Sequence, residues 1–116
     1  METADILKNF LPTILVANFD IIRIEDNDHE NKLDIYLDEK KINPTSTEAQ
    51  DIISYGFTRE SIVQDFPIRG KGVFLHLRRR KWQDKQTKEI ILRKLDITYN
   101  GTQLTQDFVA FLKATN

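Results

Sequence analysis

The sequence predicts an α+β domain: an antiparallel sheet of about four to six strands with an N-terminal and a C-terminal helix. Three observations predict it. Apolar and polar residues alternate with period two over Leu33–Asp38 and again over Val73–Arg78. Gly, Pro and polar clusters separate several such β-rich runs. Near the two ends, apolar residues recur at helical spacing instead. Helices outside a run of strands cover one face of the sheet.

In chain order, Thr3–Leu11 reads as a helix with Thr3 as its cap, Asp5 near its positive end, and Ile6, Leu7, Phe10 and Leu11 on one face. Pro12 ends or kinks it. Thr13–Ala17 fits a further helical turn or a lead into strand. Phe19–Glu25 is β-rich, with Ile22 and Ile24 on one face and Arg23 and Glu25 on the other. Polar Asp26–Lys32 makes a turn, and Leu33, Ile35 and Leu37 alternate with Asp34, Tyr36 and Asp38 in the return strand of a hairpin.

Glu39–Gln50 reads as a loop. Asp51–Phe57 and Glu60–Phe66 are further strands, and Pro67 and Gly70 set a turn. The central strand runs from Gly72 to about Trp82, with Val73, Leu75 and Leu77 as its apolar row. It pairs with a strand bearing Ile91, Leu95, Ile97 and Tyr99 on one face, which Asn100-Gly101 stops. Thr105 caps a closing helix to Ala114, with Asp107 in its first turn and Leu104, Phe108, Phe111 and Leu112 on one face.

At 116 residues, 40% apolar and 30% charged, the chain is expected to be one globular domain, residues 1–116. No apolar run approaches the roughly 18 residues that span a bilayer, and the opening residues lack a basic leader. The expectation is a cytoplasmic protein with no membrane contact. Without cysteine, disulfides and Cys-based zinc sites are excluded.

The net charge of −1 hides a polarised chain. Residues 1–68 hold 6 Lys/Arg against 14 Asp/Glu, and residues 69–94 hold 10 against 2. Such asymmetry points to a polyanionic partner, or to acidic and basic segments that neutralise each other across a sheet. Catalysis finds little support: no nucleophile elbow, phosphate loop or dinucleotide fingerprint is present. No metal site or cofactor is assigned; Asp26, Asp28, His29 and Glu30 lack calcium-loop spacing and its Gly.

The strongest signal is Arg78-Arg79-Arg80-Lys81-Trp82. On a strand, Arg78 and Arg80 share one face with Trp82, while Arg79 and Lys81 point the other way. Arg69, Lys71, Lys85, Lys88, Arg93 and Lys94 extend the patch into the flanking turns and the partner strand. Guanidiniums fork onto phosphate, and a β-ribbon fits the major groove of duplex DNA. Trp82 either stacks on a base or closes the core; the cations either meet a polyanion or protect a sheet edge.

Gln64–Trp82 resembles a stretch near the start of certain bacterial insertion-sequence transposases. The chain more closely resembles short stand-alone proteins described as the N-terminal region of an ISAon-type transposase, encoded beside a separate catalytic chain. Leu33–Lys40, Gly56-Phe57 and Gly101–Lys113 match in order, so the resemblance covers nearly the whole chain. It implies a non-catalytic DNA-binding accessory domain that positions a separate catalytic transposase chain on the terminal repeats of the element. Arg69, Lys71, Arg78, Arg79, Arg80 and Lys81 are its implied backbone contacts, and a homodimer is open. The zinc-binding Cys pairs of single-chain relatives are missing, so that site does not carry over. The alternative is an interaction module that docks on the catalytic chain without DNA affinity of its own.

Overall fold

In a computed structural model, which describes residues 9–44, 51–98 and 103–114, seven strands form two sheets with a short helix near each end. Helix α1 (Thr13–Asn18) leads into β1 (Phe19–Asn27). A 3₁₀ turn (Asp28–Glu30) joins β1 to β2 (Lys32–Glu39). Then follow β3 (Ile52–Phe57), β4 (Ser61–Ile68), β5 (Lys71–Arg78), β6 (Arg80–Asp84), β7 (Ile90–Ile91) and helix α2 (Gln106–Ala114). The expected helix at Thr3–Leu11 lies mostly outside the described residues, as do Tyr99, Asn100-Gly101 and the Asp107 side chain.

The four-stranded sheet has the order β1-β2-β5-β4 and the three-stranded sheet the order β3-β6-β7. All pairings are antiparallel except β2 with β5, which lie parallel at the centre. The sheets share one long ribbon. β3 and β4 form one arm, interrupted at Thr58–Glu60; β5 and β6 form the other, interrupted at Arg79. At the break the side chain of Thr58 replaces a ladder partner: its Oγ1 accepts from the Arg79 backbone N–H at 3.0 Å, while the Thr58 N–H donates to the Arg79 carbonyl at 2.8 Å.

The turns follow from local chemistry. Arg69 (φ 50°) and Gly70 (φ 79°) are both left-handed, which suits a two-residue hairpin loop between Ile68 and Lys71. Asn31 (φ 49°) closes the β1–β2 connection and accepts from the Gly72 N–H at 2.9 Å. α1 starts at the Pro12 carbonyl, which accepts from Leu15 and Val16, so Pro12 precedes a helix rather than only ending one.

One face of the larger sheet carries the core: Phe19, Ile35, Leu37, Val63, Val73, Leu75 and Leu77, covered by Leu11, Leu15 and Ile97. Several expectations shift in detail. In β1 the register slips between Ile21 and Arg23, so Ile22 turns to solvent while Ile21 and Ile24 pack on the core. The strand expected across Ile91–Tyr99 is only two residues long. Beyond it the Ile97 N–H donates to the Leu95 carbonyl at 3.2 Å, a tight bend no ladder accommodates, although Leu95 and Ile97 still face the core. In α2, Phe108 and Val109 are buried and Phe111 and Leu112 are exposed; Phe108 packs on Phe66, ring centroids 5.4 Å apart. Thr105 does cap α2: its Oγ1 accepts from the Phe108 N–H at 3.2 Å and donates to buried Asp65 at 2.8 Å.

Glu39, expected to open a loop, is instead the last residue of β2 and 1% exposed. Its carboxylate accepts from Arg79 Nε at 2.7 Å, the Arg80 N–H at 3.1 Å and Arg93 Nη1 at 3.3 Å. Arg93 also donates to Asn18 Oδ1 of α1 at 2.7 Å, and Arg79 to the Arg93 carbonyl. One carboxylate thereby ties the end of the larger sheet to the start of the smaller one. Removing the shared carboxylate leaves both guanidiniums without a counter-charge, whereas removing Arg79 leaves Glu39 paired with Arg93. Glu39→Ala is expected to cost about 3–5 kcal/mol in urea unfolding, against less than about 0.5 kcal/mol for Lys85→Ala.

Candidate nucleic-acid interface

The cations picked out in the sequence separate into three groups along the ribbon. β5 and β6 together extend about 45 Å at about 3.3 Å per residue, most of the 49 Å long axis of the protein. The Arg69 turn therefore lies at one end and the Asp84–Glu89 turn at the other, with Arg78–Arg80 between.

At the first end, Arg69 is exposed and carries no ion pair among the described residues. Lys71 is engaged: its ammonium donates to Asp26 Oδ1 at 2.5 Å and to Asp28. Hydrogen bonds from these two carboxylates hold Lys71 above its ordinary pKa, and the same contact holds the Asp28 carboxyl below its own. The carboxylates weighed as metal ligands thus serve as acceptors for a lysine. No group of three or more His, Cys, Asp or Glu side chains arranged to hold a metal occurs among the described residues.

In the middle, every arginine has an internal partner. Arg78 forks onto Asp38, Nε to Oδ1 at 2.7 Å and Nη2 to Oδ2 at 2.5 Å, and that hydrogen bonding raises its pKa further. Arg79 and Arg93 share Glu39. Arg80 donates to the Glu39 carbonyl at 3.4 Å and Ser54 Oγ at 3.3 Å. The Arg78 and Arg80 guanidiniums both lie 4.5 Å from the centre of the Phe57 ring. Arg78 meets Asp38, which the alternation alone places on a solvated surface, Arg79 and Arg93 meet buried Glu39, and Arg80 meets only neutral oxygens. Trp82 is 4% exposed, so its ring offers no free face to a base, and its indole N–H has no partner among the described residues.

At the far end, Lys85 and Lys88 are exposed and carry no ion pair among the described residues; Lys94, exposed and likewise without one, follows Arg93 and lies back toward the middle. Lys81, half-buried, reaches over the Tyr55 ring at 5.5 Å. Three acids lie at this end, Asp51, Asp84 and exposed Glu89, and the first two are engaged locally. Asp84 Oδ1 accepts from the backbone of Gln86 and Thr87, and Asp51 Oδ2 accepts from Gln86 Nε2. Lys88 has φ 65°, a conformation that favours Gly or Asn. Arg69 and Lys88 thus place a cation, at opposite ends of the ribbon, where a smaller residue would be less strained. With Arg80 and Arg93 held at the middle, this end carries Lys81, Lys85 and Lys88 against Asp51, Asp84 and Glu89, and its lysines are the cations left without an ion pair among the described residues.

Asp34, on the polar half of its strand's alternation, and His76 are buried on the second face of the larger sheet. Both lie on central strands, so their neighbours on β1 and β4 cover them. Arg23, Tyr36 and His76 are cross-strand neighbours: the Arg23 guanidinium sits 3.9 Å above the Tyr36 ring, and Tyr36 stacks on His76 at 4.2 Å. His76 Nε2 lies 2.7 Å from Asp34 Oδ1, and Nδ1 lies 3.2 Å from Glu60. With Arg78 and Glu60 these residues line a cleft of about 300 Å³.

Burial pushes the Asp34 carboxyl up, but the hydrogen bond from His76, the charge of Lys32 and the Asn27 amide together bring it below its ordinary value. A depressed folded-state pKa stabilises the fold above the unfolded value, near 3.9. That stability disappears as pH falls through the folded value. The stability gap between wild type and Asp34→Asn is expected to be widest above about pH 4 and to narrow below it, read from urea midpoints between neutral and acid pH.

No protein-family model, curated protein or solved structure matches this chain.

Proposed function

We propose that the chain is a non-catalytic DNA-binding accessory domain that positions a catalytic transposase chain on the ends of a mobile element. The observation that carries the DNA contact is the sorting of the cations. Those in the middle of the ribbon are engaged internally by Asp38, Glu39 and Ser54, whereas Lys85 and Lys88 at the far end and Lys94 beside the junction are exposed and carry no ion pair among the described residues. Lysines on a protruding hairpin suit phosphate contacts, which set position rather than sequence. Lys88 in a strained conformation supports the same reading, because strain retained at an exposed position points to use rather than to folding. The transposase half of the proposal rests on the resemblance of the central and closing motifs.

The contact moves along the chain relative to the sequence-based expectation. Arg78 and Arg80 serve the fold, and so does Arg79, whose truncation would confound any binding assay. The acidic first end, with Asp26, Asp28 and Glu30 exposed, would be repelled by DNA and so would orient the domain with its far end inward.

The second reading, a module that docks on the catalytic chain without DNA affinity, is favoured by one observation. Four arginines of the basic segment already have internal partners, which leaves few free charges.

The test is duplex binding by fluorescence anisotropy with the triple variant Lys85→Ala, Lys88→Gly, Lys94→Ala. At about 0.1 M salt, each phosphate that the variant no longer neutralises costs just under tenfold, so affinity is expected to fall by about a hundredfold or more. Stability should match or exceed wild type, because Gly relieves the left-handed position at 88. Equal affinity in this folded variant would refute the assignment.

A further inference from the structure

We propose that the outer face of the three-stranded sheet accepts unpaired bases of a DNA strand, so that the domain favours a duplex with a single-stranded end over a blunt one. This deepens the nucleic-acid reading above and rests on it.

The face is defined by register. Ile53, Gln83 and Ile90 are directly opposed across β3, β6 and β7, so their side chains point to the same side. Tyr55, two residues beyond Ile53, lies beside Lys81 on that same side. The other side holds Trp82 and is buried. The outward side is not: Ile53 is 39% exposed, Tyr55 49% and Ile90 48%. Leu92, just past β7, is exposed as well.

An aromatic ring and two aliphatic side chains on an open sheet face, with Lys81 over the ring and exposed Lys85 and Lys88 in the adjoining turn, call for an occupant with two properties. It must be anionic along its length, and it must bring flat apolar surface to cover Tyr55 and its neighbours. A nucleic-acid strand with unstacked bases has both. A closed duplex has only the first, because its base faces are already covered by one another. The cations and the ring are interleaved rather than segregated: the Lys81 ammonium sits over the Tyr55 ring, where a base stacked on the ring would carry its phosphate toward that charge. Gly56 (φ 82°) follows Tyr55 at the register break, with open space where a side chain would be, so strand β3 is unobstructed there.

The experiment compares two labelled DNAs at one low salt concentration: a blunt duplex of roughly 20 base pairs, and the same duplex with a roughly ten-nucleotide single-stranded extension. Wild type is expected to bind the extended DNA about tenfold more tightly. Tyr55→Ala should abolish that gain and leave blunt-duplex affinity unchanged, while Tyr55→Phe, which keeps the ring, should retain it. Tyr55 is half-exposed, so circular dichroism and urea unfolding should find both variants folded. Equal affinity of wild type for the two DNAs would overturn the inference and leave the duplex reading standing. A gain that survives Tyr55→Ala would overturn this assignment of the face. No binding to either DNA would overturn both, and the face would then fit an acidic segment of a partner protein.

Discussion

The buried carboxylate of Glu39 is the interaction on which the two sheets depend. It ends β2, the central strand of the larger sheet, and it faces the break where β5 becomes β6. Three donors converge on it: the Arg79 and Arg93 guanidiniums and the Arg80 backbone N–H. A charge this far from water is tolerated only when paired and hydrogen-bonded. The pairing in turn fixes where the ribbon bends, where the segment after β7 returns, and how α1 abuts them through Asn18. A hydrophobic residue of similar size would fill the space without specifying that junction.

This clamp also decides the electrostatics. Four consecutive cations in the sequence suggest a concentrated positive surface, but the fold uses three of them. Apart from Arg69, alone at the opposite end where acids gather, the cations left over are lysines from the junction to the far turn. Lysine is the better residue for that position. Its compact, well-hydrated ammonium follows a phosphate backbone without fixed geometry, whereas the planar arginine fork suits the fixed carboxylates of the interior. The smaller sheet adds an apolar outer face beside those lysines, so the far end combines charge with exposed apolar surface.

Much of the architecture was legible in the sequence because one face of each central strand is apolar. Alternation placed β2 and β5 and the inward residues Ile35, Leu37, Val73, Leu75 and Leu77. Gly70 and Thr105 marked a turn and a cap whose chemistry is local. Other features depended on distant neighbours. Asp34 and His76 follow the polar half of the alternation and are buried only because β2 and β5 lie side by side at the centre, a pairing set by the path of the chain. Glu39 did carry a signal. It is the next inward position after Leu33, Ile35 and Leu37, so continuing the period by one step would have placed an acid in the core and raised the question of its partner. For Tyr55 nothing local distinguished an exposed ring from a packed one, and the division into two sheets was invisible because a single long ribbon runs through both.

The salt dependence of duplex binding tests the account most directly, because its slope reports how many phosphates the protein neutralises. If Lys81, Lys85, Lys88 and Lys94 make the contacts while the clamped arginines do not, log Kd should change with log salt by about 3–4 per decade. A slope near 9, the value for all ten cations of the basic segment, would mean that the clamp opens on DNA and that the arginines are the contact. A slope near zero would remove DNA as the partner.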